Sequence, residues 1–157
     1  MDFNQRLQKA ITRGEQTRDA QARQRAEKAL SEEDLRNLHS QYRLELSDHV
    51  EACLRKLADH FPGFVYQTVI SEDGWGAKVT RDDLNLGPRR STNNLFSRFE
   101  LLTRPFSSTH IVELVAKGTI HNKEVVKHSH YQFLSEVDLD SFMALIDQRV
   151  LEYAELY

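Results

Sequence analysis

The sequence predicts an α+β domain in the order α-α-β-β-β-β-β-α. It reads as a two-layer sandwich, with a five-stranded antiparallel meander carrying long N-terminal helices and a C-terminal helix. Three observations predict it. Leu35, Leu38, Tyr42, Leu46, Val50, Leu54, Leu57 and Phe61 recur at spacings of three and four, which is one face of a helix. Residues 64–134 are then rich in β-branched and aromatic types broken by turn signals, with no connection long enough for a crossover helix. Leu139, Phe142, Ile146, Val150 and Tyr153 close the chain with a second helical stripe.

Residues 2–30 lack proline and are rich in Gln, Arg, Ala and Glu, which favour a helix interrupted only by Gly14. Phe3, Leu7 and Ile11 make a short apolar stripe that fades into Ala20, Ala22, Ala26 and Ala29. A helix so polar gains little from packing, so residues 1–30 read as a polar, basic, projecting arm and residues 31–157 as the single α+β domain. Gly14 and Thr17 are too poor at core positions for a coiled coil. Ser31 is placed to cap the second helix, and Glu32, Glu33 and Asp34 suit the positive end of its dipole. Pro62-Gly63 ends it.

The strand run 64–71 leads to Asp73-Gly74, read as a two-residue hairpin turn. That turn pairs Ile70 with Ala77, Thr68 with Val79 and Tyr66 with Arg81. It places Phe64, Tyr66, Ile70, Trp75, Ala77 and Val79 on the core face. Residues 84–94 read as a long polar loop around Gly87-Pro88, and 95–104 as the third strand, with Leu95, Phe99 and Leu101 inward. A second hairpin joins 109–120 to 125–134 through a four-residue turn from His121 to Glu124. Pairing Ile120 with Val125 sets Leu114 opposite Tyr131 and Val112 opposite Phe133, an apolar face. Ser135 and Asp138 are the candidate caps of the last helix.

The reverse face of this sheet is half polar. It is expected to carry Phe96, Arg98, Leu102, Ile111, Glu113, Val115, Lys117, Val126, His128 and His130, beside Val65, Val69, Lys78, Glu100 and Leu134. An uncovered mixture of that kind is a candidate interaction face.

Composition narrows the function classes. The chain has 157 residues, a net charge of −3 and a single cysteine. One thiol excludes an internal disulfide and any zinc site built on several thiolates. No apolar run approaches the ~18 residues of a membrane span, and the N-terminus has no secretory h-region, so a cytoplasmic protein with no membrane partner is expected. Residues 1–30 hold seven basic residues against four acidic ones, a surplus of three that leaves −6 for the remainder. This basic arm, with the Arg89-Arg90 loop, is the route to nucleic acid, and mixed solvated charge is the arm's plainer meaning.

Several constellations invite chemistry. His128-Ser129-His130 on a strand sets two imidazoles on one side about 7 Å apart, but a metal needs further ligands. Lys117 opposite His128 opposes a cation, and Glu113 is the one carboxylate expected near His130. Cys53 sits on the helix stripe with His49 four residues earlier. A buried small side chain explains it better than a nucleophile, since nothing marks an oxyanion hole. Asp82-Asp83 and Asp138 with Asp140 read as turn and cap chemistry. Arg89, Arg90, Ser91 and Thr92 form a basic hydroxyl-bearing loop, a candidate for phosphate contact or phosphorylation, without the P-loop pattern. No cofactor, metal or catalytic residue is assigned. The residues favour a non-catalytic binding or assembly module, adaptor-like or chaperone-like, that pairs through the open sheet face with a second copy or another protein. A pocket for a small molecule or a reaction between sheet and helices near His128 and His130 is the alternative, and nucleic-acid binding through the arm the next.

Overall fold

The computed structural model describes residues 2–28, 32–86 and 92–157. The chain divides into two compact units, Met1–Asn37 and Leu38–Tyr157. In the first, α1 (Phe3–Lys28) runs unbroken through Gly14. The Thr12 and Thr17 hydroxyls donate to the carbonyls of Gln8 and Arg13, both at 2.9 Å, so these side chains bond within their own helix. Phe3, Leu7 and Ile11 are exposed. The proposed Ser31 cap lies outside the described residues.

The element α2 (Glu32–His60) is followed by β1 (Val65–Ser71), β2 (Gly74–Leu86), β3 (Thr92–Thr103), β4 (Ile111–Ile120), β5 (Lys123–Phe133), a short 3-10 turn (Leu134–Glu136) and α3 (Leu139–Leu156). The five strands pair antiparallel in chain order, giving the α+β meander that the sequence predicts. Among the described residues no helix is long and apolar enough to cross a membrane.

The two helical stripes meet the same sheet face. Leu46, Val50, Leu54 and Leu57 from α2 and Phe142, Ile146 and Tyr153 from α3 are buried with Ala77, Val79, Phe99, Leu101, Val112 and Leu114. The Tyr153 ring stacks on Phe99 with centroids 4.7 Å apart, and its hydroxyl donates to the Thr119 carbonyl at 2.8 Å. Burial, with Tyr157 adding to it, holds that phenol far above its usual range, so it remains a donor at neutral pH. Arg43 lies over the Trp75 ring at 3.3 Å and Arg55 over Tyr66 at 4.7 Å, fixing α2 above the first hairpin. Asp138 caps α3, its carboxylate accepting from the Ser141 amide at 3.4 Å. His39, at 2% exposure, is buried at the N-terminal end of this layer, edge-on to Phe106.

Three expectations need correction. The first hairpin pairs Ser71 with Gly74 and Ile70 with Trp75, so Glu72-Asp73 is the turn and the register slips by two residues. Gly74, at φ +144°, takes the backbone that only glycine accepts readily, and a Cβ there would lie 2.3 Å from the Thr103 carbonyl oxygen. A slip of two preserves parity, so the core face keeps its residues. Ile70 nevertheless stays exposed at the hairpin end. The described ends of the expected loop 84–94 are strand: Leu84 pairs with Asn94, Asn85 with Asn93 and Leu86 with Thr92. Gly87 and Pro88 lie outside the described residues.

The third correction changes a face. The β4–β5 turn is only His121-Asn122, with φ of +48° and +69°, the positive pair a tight hairpin wants. Asn122 clasps β3: its Oδ1 accepts from the Phe96 amide at 3.0 Å, and its Nδ2 donates to the Asn94 carbonyl at 2.8 Å. The His121 amide donates to Ser97 Oγ at 3.0 Å. Thr119 then pairs with Glu124, but Gly118 pairs with Val126, so Val125 is an extra residue, a β-bulge. Beyond it Leu114 faces His130, not Tyr131, and Val112 faces Gln132, not Phe133. One inserted residue turns every later side chain of β5 to the opposite side.

Candidate functional site

The bulge redistributes the expected interaction face. Phe96, Arg98, Leu102, Ile111, Glu113, Val115 and Lys117 do share the side away from α2 and α3. Val126, His128 and His130 do not: they pair with Gly118, Ala116 and Leu114 on the helix-covered side. Val126 is buried there, the His130 ring meets Phe142 edge-on at 5.2 Å, and His128 Nε2 lies 3.8 Å from Glu152 of α3. The expected approach of Glu113 to His130 fails for the same reason. Glu113 points the other way and accepts from Ser129 Oγ at 2.8 Å.

In their place the bulge presents Tyr131 and Phe133, 56% and 52% exposed, with ring centroids 5.9 Å apart. Phe133 faces Ile111 and Tyr131 faces Glu113 across the strands, with Val115 and Leu102 on the same side. Among the described residues of 38–157 no helix packs over this side. Arg98 and Glu100 pair closely within it, and Lys78 and Lys117 stand opposite Glu100 on the neighbouring strands. Arg89, Arg90 and Ser91 lie outside the described residues, while Thr92 opens β3 opposite Leu86.

A second constellation lies in the seam between α2 and α3. Spacing of four puts His49 and Cys53 on one side of α2, beside the buried Val50 and Leu54. Asp147 stands across from them on α3, next to the buried Ile146. His49 Nε2 is 2.7 Å from Asp147 Oδ1, Cys53 Sγ is 3.4 Å from the same oxygen, and Sγ is 3.6 Å from His49 Nε2. Beside them opens a cavity of about 510 Å³ lined by Lys56, Leu57, His60, Phe61, Val150, Leu151 and Ala154. Burial first, and then the Asp147 carboxylate, push the Cys53 thiol up to about 11.

This is not a nucleophilic triad. In a triad the two imidazole nitrogens divide the work, one held by the carboxylate and the other accepting the nucleophile's proton. Here one nitrogen, Nε2, faces both Asp147 and Cys53, and the thiol keeps its proton at neutral pH. The sequence marks His49 with Cys53 but misses Asp147, 94 residues further on. The available signal is indirect: His49 adjoins Val50 and Asp147 adjoins Ile146, so both flank stripes that cover one sheet face.

Compared with protein-family models, with curated proteins and with solved structures, the chain matches none of them.

Proposed function

We propose that this chain is a non-catalytic binding module that associates through the uncovered side of its sheet, with a second copy of itself as the partner. One observation carries the reading: two aromatic side chains, Tyr131 and Phe133, stand more than half exposed on a sheet face that the helices of 38–157 leave bare. Aromatic anchors of this kind supply much of the binding energy of protein interfaces when water is excluded from them. Ile111 and Val115 extend the apolar area beside the buried Leu102, and Lys117 and Lys127 rim it with charge that keeps the free surface soluble. The clustered apolar side chains and the internally neutralised Arg98–Glu100 pair suit a face that meets its own copy about a two-fold axis.

Sedimentation velocity of the full chain at micromolar concentration tests this. The expected result is a dimer that the double variant Tyr131→Ser/Phe133→Ser converts to monomer. A monomer throughout, or a dimer indifferent to that variant, overturns it. If Phe3→Ser/Leu7→Ser dissolves the dimer instead, α1 holds the interface and the sheet face does not.

A further inference from the structure

The geometry points to a metal site: His49, Cys53 and Asp147 together bind one thiophilic divalent cation, zinc by the chemistry of the donors. The three donor atoms already converge. Around a tetrahedral Zn²⁺ with bonds of ~2.0–2.3 Å, neighbouring donors lie ~3.5 Å apart. The Sγ–Nε2 separation of 3.6 Å and the Sγ–Oδ1 separation of 3.4 Å match those edges. The third edge, Nε2–Oδ1, is a hydrogen bond at 2.7 Å and must open by roughly 0.8 Å to reach that separation. Asp147 can make the move, because its side chain is 52% exposed and at the helix surface.

The scaffold holds the rest in place. Leu46, Val50 and Leu54 bury the inner side of α2, and Phe142 and Ile146 that of α3, so the helices bearing the ligands are anchored. One thiolate, one imidazole and one carboxylate form a donor set for a soft or borderline ion, while Mg²⁺ and Ca²⁺ want several oxygens. On binding, the thiol proton passes to solvent and a sulfur lone pair takes the metal; no electron changes hands. Three protein ligands leave a fourth position, and the cavity lined by Lys56, His60 and Val150 opens beside it, so water or a small donor completes the shell. Without a metal the same trio is a histidine–carboxylate pair with the thiol donating to the carboxylate, so the convergence of all three donor atoms is what the metal reading rests on.

The test is a Co²⁺ titration of the full chain under reducing, anaerobic conditions. Because Cys53 is the only cysteine, a thiolate-to-cobalt charge-transfer band in the near ultraviolet reports this site alone. The expected result is a band that saturates at one equivalent and is bleached by Zn²⁺. Cys53→Ser should abolish it, and Asp147→Asn should weaken binding by at least the ~10-fold that losing even a supporting group costs a metal site. No band overturns the proposal. So does unchanged zinc affinity in Asp147→Asn, whose exposed position lets it fold even should Cys53→Ser not; the trio is then an ion pair with a neighbouring thiol.

Discussion

Gly118 sits where the sheet, the bulge and α3 meet, and its replacement by alanine gives the sharpest test of the packing. A Cβ there would lie 2.9 Å from Tyr153 Cδ2, 3.1 Å from Val126 Cβ and 3.2 Å from Phe99 Cδ2. None of these neighbours can yield cheaply. Tyr153 is pinned by its stack on Phe99 and by its hydroxyl bond to Thr119, and Val126 is locked by its pairing with Gly118 itself. Overpacking a filled core by one carbon costs about 1–3 kcal/mol. Alanine also narrows the unfolded ensemble, which offsets roughly 0.4–1 kcal/mol of that. The net expectation for Gly118→Ala is a loss of about 0–2.6 kcal/mol, centred on ~1.3 kcal/mol, or about 3–5 °C in Tm at the centre for a chain of this length. Urea unfolding followed by the single tryptophan, Trp75, reads this unit directly. Tyr153→Leu removes the ring that the new carbon strikes, so Gly118→Ala should cost less in that background, with a coupling of at least ~0.5 kcal/mol. If Gly118→Ala is as stable as the parent and shows no coupling to Tyr153→Leu, the helix does not press on the sheet at this point.

Two further outcomes follow from the titrating groups. Burial, and then the nearby Arg43 charge, lower the pKa of His39, so the folded state binds fewer protons than the unfolded chain. Stability therefore rises with pH, is fully present above the unfolded value of ~6.5 and is lost as the pH falls below it. His39→Leu should flatten that acid-side fall in urea midpoints between ~pH 7.5 and ~pH 5, and an unchanged slope would acquit His39. With its pKa near 11, the Cys53 thiol should react with iodoacetamide at ~pH 8 about 100-fold more slowly than an ordinary free thiol. Asp147→Asn should speed the reaction, and a parent rate equal to that of free cysteine would refute the thiol's environment.

The helical layer was legible because burial of a helix face leaves a period that no other structure imitates. Leu46, Val50, Leu54 and Leu57, and Phe142, Ile146 and Tyr153, are all read from spacing and all buried. Strand order was legible too, since the connections are too short for anything but neighbours. Register was not, and the two hairpins show why. At Ser71–Gly74 the slip was two residues and changed no face; at Val125 it was one and moved His128, His130, Tyr131 and Phe133. The cause is a turn locked by Asn122 reaching back to Asn94 and Phe96, contacts across more than twenty residues that local patterning does not encode. The His49–Cys53–Asp147 cluster was half visible for a similar reason. Its i, i+4 half is a matter of helical arithmetic, whereas Asp147 arrives only when the last helix settles beside the second.

The neighbour-only order of the strands has a kinetic side. Each ribbon can zip onto the one just made, with short loops to close, so the sheet gathers early and cheaply. Phe99, Leu101 and Leu114 then wait beneath α2 alone, because half of their roof is the eighteen residues of Leu139–Leu156. A ribosome releases that segment after all five strands. Until it docks, the nascent sheet shows a greasy underside, the kind of transient exposure from which aggregation starts.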